Sequence, residues 1–286
     1  MKINISFASR NAPSNLETTL RVLKNLSTGK HEIKYILGLD NDDLSSCVRF
    51  QQEYKNDKSV ILSIEPRPLT VGMVWNRCIK LFEADAYLPL GDDAMCLTQY
   101  WDEYVAELSK KFLIISAFCA YSPHSVVFPI LSPKWLKAND WTLFSEHFPY
   151  WFNDTWVNEV YEFTTGKLML VAKDLAFGGN EGKTRGMRDL DFWWGFFNAT
   201  RKQRIRHGIK LRHKLGLEDP KADDLKAIID KWEERDSAMR EKIPTLSEHY
   251  STDNAVSPRY LLAKKNAEDY LQMHGLKLWE CADGKI

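Results

Sequence analysis

Three observations on this 286-residue sequence predict an α/β fold. Its first half alternates short apolar runs with amphipathic stretches, the pattern of strands joined by crossover helices. Polar or acidic residues close several of the apolar runs, where open α/β sheets bind ligands. Past about residue 190 the pattern turns helical. The expected architecture is a mainly parallel central sheet flanked by helices, with a helical C-terminal extension. The expected division is 1–190 for the sheet domain and 191–286 for helices packed on it.

The elements follow in order. Ile3 to Ala8 reads as a strand. Ser14-x-x-Glu17 reads as a capping box opening a helix with Leu16, Leu20, Leu23 and Leu26 on one face, and Gly29 suits its end. Ile33 to Leu39 is a second strand, ending at Asp40, and a polar helix spans roughly Leu44 to Tyr54. Val60 to Ile64 is a third strand. Val71, Val74, Trp75 and Leu81 space a helix from about Thr70 to Phe82. Ala86 to Leu90 is a fourth strand, in which Pro89 lacks the donor that a central strand supplies, so a bulge or an early strand end is expected there. A helix carrying Trp101, Val105 and Leu108 and a strand from Leu113 to Phe118 complete the first half. Val126 to Leu131 and Leu168 to Val171 read as further strands around an aromatic-rich stretch from Trp135 to Trp156. Pro220 and Pro244 bracket a helix from Leu225 to Arg240, and a last helix spans Pro258 to His274.

Composition narrows the class. Lys plus Arg and Asp plus Glu number 39 each, so attraction to nucleic acid needs a local patch rather than net charge. Cysteines at 47, 78, 96, 119 and 281 show no zinc or redox spacing and read as reduced thiols. Met1 to Phe7 offers no apolar stretch of signal-peptide length, and no run is long enough to span a membrane. These features predict a cytoplasmic protein, in the host cytoplasm if phage-encoded.

The most informative motif is Gly91-Asp92-Asp93-Ala94, directly after the fourth strand. Gly91 permits a sharp turn. Adjacent carboxylates repel unless something positive lies beside them. The pair therefore reads either as an Asp-rich turn or as hard-oxygen ligands for magnesium or manganese carrying a nucleotide diphosphate. Other phosphate devices are missing. The loop Ala8-Ser9-Arg10-Asn11-Ala12-Pro13 holds no glycine, and Gly182-Lys183-Thr184 lacks the upstream glycine and strand of a P-loop.

Four pieces of the first 115 or so residues, in order and spacing, resemble the GT-A glycosyltransferases, especially the large inverting family that uses nucleotide-diphosphate sugars. They are the opening strand and loop through Asn11, the strand ending Gly38-Leu39-Asp40-Asn41-Asp42-Asp43, Gly72-Met73-Val74-Trp75-Asn76-Arg77, and the acid pair, which resembles the Asp-x-Asp region. The resemblance implies a Rossmann-like GT-A fold and transfer of a sugar, from a UDP-sugar by preference, to an acceptor hydroxyl. It implies that Asp40 meets the nucleobase with Ser9 and Arg10 lining its pocket, that Asn76 belongs to the donor site, that Asp92 faces the ribose or a metal-bound water, and that Asp93 binds Mn2+ or Mg2+. Asp154, in Phe152-Asn153-Asp154-Thr155-Trp156, is the expected base, and the same position also suits a helix N-cap. The family's histidine after the last core strand is missing, so Lys183 or Arg185 is expected to meet the diphosphate.

Residues 201–214 carry seven Lys or Arg and two His without an acid. This segment reads either as a solvated helix face or as a polyanion contact through Arg204, Arg206 and Lys210. The second reading admits a nucleic-acid acceptor, such as hydroxymethylated phage DNA. The rival functions are a noncatalytic nucleic-acid-binding protein using 201–214, and a nucleotidyltransferase.

Overall fold

The computed structural model describes residues 1–120, 127–149, 152–179, 189–250 and 257–278, without the side chains of 244–250. They form two compact units. The first runs from Met1 to Phe144 and regains the chain at Met169 for one more strand. The second takes Ser145–Leu168 and the later helices. This partition differs from a boundary at residue 190, because the helix that carries Asp154 groups with the C-terminal helices.

In the first unit the chain runs β1 (Lys2–Ser9), α1 (Pro13–Leu26), β2 (Glu32–Asp40), α2 (Leu44–Tyr54), β3 (Val60–Glu65), α3 (Val71–Cys78), β4 (Ala86–Gly91), β5 (Ala94–Cys96), α4 (Trp101–Lys111), β6 (Ile114–Cys119), β7 (Phe128–Leu131), α5 (Pro133–Ala138) and, after the second unit's first segment, β8 (Val171–Gly179). The strands form one sheet in the order β3-β2-β1-β4-β7-β6-β8-β5. The β1, β2, β3 and β4 pairings are parallel, as is β6 with β8. β7 runs antiparallel to both β4 and β6, and β5 antiparallel to β8. The sheet is therefore mixed, with its parallel half where the strand–helix alternation is regular.

β1 is buried on both faces. Ile3, Ile5 and Phe7 point to one side and the buried polar Asn4 and Ser6 to the other. The polar pair is satisfied internally, because Ser6 Oγ donates to Asn4 Oδ1 at 2.6 Å and Asn4 Nδ2 to the Phe82 carbonyl at 3.0 Å. Leu16, Leu20 and Leu23 of α1 are buried in the same core. The capping-box expectation for Ser14 and Glu17 is not met. α1 begins at Pro13, whose fixed φ suits a first helical position, so Ser14 lies inside the first turn, and the Glu17 carboxylate pairs with Arg49. Pro89 is accommodated by an early end on one side. Pairing of β4 with β7 is confined to Tyr87↔Leu131, while the parallel pairing with β1 continues to Gly91.

The second unit holds α6 (Asn153–Thr165), α7 (Leu190–Ala199), α8 (Arg201–Leu215), α9 (Ala222–Tyr250) and α10 (Pro258–Met273). Phe148 is central to its core, with the rings of Phe152, Phe196 and Phe197 at 5.8, 5.6 and 5.8 Å. α9 continues past Pro244, so this proline is no stop signal. A proline removes one intrahelical bond, and turns on either side of it can carry the helix on.

α3 crosses β2 at Gly38. A Cβ at this position would lie 2.4 Å from Val74 Cγ1, 2.8 Å from Cys78 Sγ and 2.9 Å from the Phe7 carbonyl. Gly38→Ala is expected to lower the unfolding free energy by about 1–3 kcal/mol through overpacking. Urea denaturation measures this, and an unchanged midpoint would mean that α3 shifts without cost.

Candidate functional site

The register of the parallel half decides where the site lies. Ala8 stands opposite Gly38 of β2 and Gly91 of β4, so the chain leaves all three strands at the same level of the sheet. Ser9, Asp40 and Asp92 follow within two residues of that level. With interstrand spacings of about 4.8 Å, loops from β2 and β4 flank β1 at about 10 Å from each other.

Asp92 and Asp93 are the whole connection between β4 and β5. Ser9 Oγ donates to Asp92 Oδ2 at 2.7 Å, which ties the β1 loop to the acid pair. Thr19 Oγ1 of α1 donates to the Asp92 carbonyl at 2.8 Å, and Trp75 Nε1 of α3 to the Leu90 carbonyl at 3.2 Å. Two helices thus hold the end of β4 by its backbone. Gly91 matters for closeness as well as for turning, since a Cβ there would come 2.9 Å from Asp93 Oδ1.

At the end of β2, the buried Asp40 accepts from Arg10 Nη1 at 3.0 Å and lies 3.6 Å from Arg67 Nε. Arg10 also pairs with Asp42, through both guanidinium nitrogens. Asp43 caps α2, its carboxylate accepting from Ser46 N at 3.4 Å and from Asn11 N at 2.8 Å. Burial pushes the Asp43 carboxyl up, but these hydrogen bonds outweigh it and hold the group below the usual range. The expected grouping of Ser9, Arg10, Asp40 and Asp92 at one sheet edge is therefore present. Arg67 was not foreseen. Its signal is positional: Pro66-Arg67-Pro68 follows β3, in an extended stretch beside the end of β2.

Asn76 is placed differently. It is buried, its Oδ1 accepts from the backbone N–H of Leu143 at 2.8 Å and Phe144 at 2.9 Å, and its Nδ2 donates to the Phe144 carbonyl at 2.9 Å. Its amide pins the segment after α5 to α3, which corrects its assignment to the donor site. Lys183 and Arg185 lie outside the described residues.

The donor set at the acid pair suits a hard cation. Two half-buried carboxylates stand at a turn, one of them engaged by a serine hydroxyl. Among the described residues no group of three or more His, Cys, Asp or Glu is placed to hold a metal. A cation here would take protein oxygen from the acid pair and complete its shell with diphosphate and water, the usual arrangement for magnesium-like ions.

Asp154 lies in the first turn of α6 and does not cap it. The N-cap position is Phe152, at φ 70°. Asp154 Oδ1 accepts from Thr155 N at 2.8 Å. Burial pushes its carboxyl above the ordinary range, against the opposing pull of the Thr155 hydrogen bonds and the Arg235 charge.

The basic segment forms α8, and much of its charge points inward. Arg204 is buried, donating through Nε to Glu159 Oε2 at 2.6 Å and through Nη1 to the Phe197 carbonyl at 2.5 Å. Glu159 is fully buried and also pairs with Arg235 at 2.5 Å and Arg201 at 3.8 Å, and Arg201 pairs with Asp236. Arg212 donates to the carbonyls of Phe163 and Thr164. Arg204 is thus a core residue, which corrects its place among polyanion contacts. Lys202, Arg206 and Lys210 are exposed, four residues apart. Of the aromatic stretch, Trp135, Phe144, Phe148 and Phe152 are buried, while Trp141 and Trp156 are half-buried.

No protein family and no curated protein sequence matches this chain. Solved structures do. The mannosyltransferase PcManGT of Pyrobaculum calidifontis, in complex with GDP-Man and Mn2+, is similar at TM-score 0.54 and 12% identity, over 94% of this chain and 80% of that one. S. aureus TarS 1–349 in complex with UDP is similar at TM-score 0.56 and 12% identity, over 100% of this chain and 98% of that one. Its complex with UDP-GlcNAc gives TM-score 0.54 and 14% identity over the same shares. At these identities the likeness establishes the fold, which is the GT-A-like fold of nucleotide-sugar glycosyltransferases.

Burial pushes the Glu159 carboxyl up, but the surrounding arginines, Arg204 first, pull it further down, so it stays below the usual range. Glu159→Gln is expected to destabilise the protein by about 3–5 kcal/mol, because it leaves buried guanidinium charge uncompensated. The stabilisation from ionised Glu159 is full above its unfolded pKa of about 4.3 and fades as pH falls below it. Denaturant titrations of both proteins from pH 7 to pH 3 measure the loss, and a variant as stable as the parent would refute the cluster's role.

Proposed function

We propose that this chain is a metal-dependent glycosyltransferase that moves a sugar from a nucleotide-diphosphate sugar, by preference a UDP-sugar, to an acceptor hydroxyl with inversion. One observation carries the reading: Ser9, Arg10, Asp40, Arg67, Asp92 and Asp93 gather at the carboxyl edge of the parallel strands β1, β2 and β4. The glycosyltransferase fold adds support, as do the UDP, UDP-GlcNAc and GDP-Man with Mn2+ bound by the structural neighbours.

In this reading Asp40 meets the base edge, with Arg10 and Arg67 setting its orientation. Asp92, held by Ser9, faces the ribose, about two strand spacings away. Asp93 holds the cation. Mn2+ or Mg2+, when bound, neutralises charge on the diphosphate oxygens as the glycosidic bond breaks. Asp154 takes the proton of the acceptor hydroxyl as that oxygen attacks the anomeric carbon opposite the leaving nucleotide. A raised carboxyl suits this role, because a base works best when its pKa approaches the working pH. A noncatalytic nucleic-acid-binding protein draws less support, since much of the arginine of 201–214 is spent inside the protein. Arg206 and Lys210 remain exposed for an anionic acceptor such as modified DNA.

Asp93→Ala is expected to abolish manganese-dependent binding of UDP-sugars in calorimetry. Unchanged affinity would refute the metal assignment. Asp154→Asn is expected to leave donor binding intact and to lower transfer by at least about a hundredfold, the low end for loss of a general base. In the parent protein kcat/KM should fall on the acid side at a pH above the ordinary aspartate value of about 3.9, because the ionised form is active and its pKa is raised. Transfer by the asparagine variant at near-parent rate would move the base elsewhere.

A further inference from the structure

α8 sorts its charge by face. Arg201, Arg204 and Arg212 are buried and make the ion pairs of this helix, with Glu159, Asp236 and Asp219. Lys202, Arg206, Lys210, His213 and Lys214 are exposed. At 3.6 residues per turn these five share about one third of the helix surface, and residues 201–217 contain no acid. Among the described residues Lys202, Arg206 and Lys210 make no ion pair. They stand four residues apart, so each charge repels the next. Lys202 also lies in the first turn, where the helix dipole disfavours a cation. On α4, by contrast, the exposed Lys111 is matched by Glu107 one turn away.

This stripe runs beside α6. Arg204 Nε donates to Glu159 Oε2 at 2.6 Å, a Cβ on Gly208 would lie 2.9 Å from Phe163 Cβ, and Arg212 Nε donates to the Thr164 carbonyl at 3.0 Å. The two helices therefore lie side by side and run in the same direction, with Lys202 within about one turn of the level of Asp154. The two glutamates of α6 are engaged elsewhere, Glu159 with buried arginine and Glu162 with Lys231 and Trp232. Trp156, two residues after Asp154, packs its ring 5.6 Å from that of His207, and both residues are half-buried. An aromatic edge thus borders the line of cations.

We propose that the exposed face of α8 binds a single nucleic-acid strand through its phosphates, and that this strand is the acceptor. The acceptor role rests on the glycosyltransferase reading; the surface does not. Cations repeated about every 6 Å along a helix suit a chain of evenly repeated anions better than one isolated ion. Phosphate contacts of this kind give affinity without reading sequence. The rings of Trp156 and His207 supply surface for a base, a device that serves single strands, whose bases are free to stack on protein. An anionic bilayer is a poorer match. Helices that bind one also insert apolar side chains, and α8 exposes no large hydrophobic residue. A strand seated on the stripe passes the turn of α6 that carries Asp154, the residue proposed to take the acceptor's proton.

Fluorescence anisotropy of the full chain with a labelled oligothymidylate of about 20 nucleotides tests this between about 50 and about 200 mM salt. With about three to five phosphates engaged, log affinity should fall against log salt with a slope of about −2 to −3.5. Lys202→Ala, Arg206→Ala and Lys210→Ala together should lower affinity about tenfold or more and flatten the slope by about 2. Lys55→Ala, Lys80→Ala and Lys110→Ala together remove the same net charge from other exposed positions and should change neither. All six side chains are exposed, so urea denaturation should find both variants folded. An abasic strand of equal length and charge should bind about fivefold more weakly or worse, because it offers no base to stack. No binding of oligothymidylate, an equal loss in the two triple variants, equal binding of the abasic strand, or binding to phosphatidylserine vesicles alone overturns the proposal. Calorimetry with a UDP-sugar and manganese reads the donor separately. Strand binding without donor binding upholds the surface and sinks the transferase reading, and the reverse pattern sinks the surface alone.

Discussion

The alignment of β1 between β2 and β4 governs the candidate donor site. Because Ala8 faces Gly38 on one side and Gly91 on the other, the three chains leave the sheet together. A shift of one residue in either pairing would send Asp40 or Asp92 to the opposite face. The register is held by packing on both faces of β1. The apolar side chains of Ile3, Ile5 and Phe7 fill one side, and the Asn4–Ser6 pair, satisfied by its own hydrogen bonds, fills the other. Gly38 lets α3 approach β2 closely, and α3 in turn places Trp75 on the backbone at the end of β4. Packing, register and the position of the acids are thus one connected set of constraints.

The second unit solves a different problem. It buries a fully enclosed glutamate, Glu159, among three arginines, and two of those, Arg201 and Arg235, also pair with Asp236. Such a cluster is tolerable only when its charges are matched and its donors are met. Arg204 goes most of the way, reaching Glu159, the Phe197 carbonyl and Thr200 Oγ1 through Nε and Nη1, while its buried Nη2 has no partner among the described residues. The cluster joins α6, α8 and α9, which are also linked by Arg212 on the Phe163 and Thr164 carbonyls and by Lys231 and Trp232 on Glu162.

Much of the sheet was legible in the sequence, because strands buried on both faces read as apolar runs and their connecting helices carry a clear period. Asp40, Asp92 and Asp93 were legible as strand-end acids for the same reason. Other features were hidden by what a one-dimensional pattern omits. β5 has three residues and pairs only with the distant β8, so it leaves no periodic trace. Ser14 and Glu17 have the spacing of a cap, yet Pro13 starts the helix two residues before the start they would set. Asn76 resembles a ligand-binding asparagine because its clamp on Leu143 and Phe144 joins residues far apart in the chain. The arginines of α8 look like a solvated face until their partners, supplied by α6 and α9, are known.

The shortness of the link between β4 and β5 has a further consequence. Its two residues are both carboxylates, so the same atoms set the span of the connection and offer oxygens to a cation. Loss of one residue would slide β5 along β8, away from Ala94↔Gly179, and turn the buried Ala94 and Cys96 outward. Descendants of this chain can exchange one acid for another here, but a change of length is barred to them, and the fixed count of two should outlast the identity of either residue.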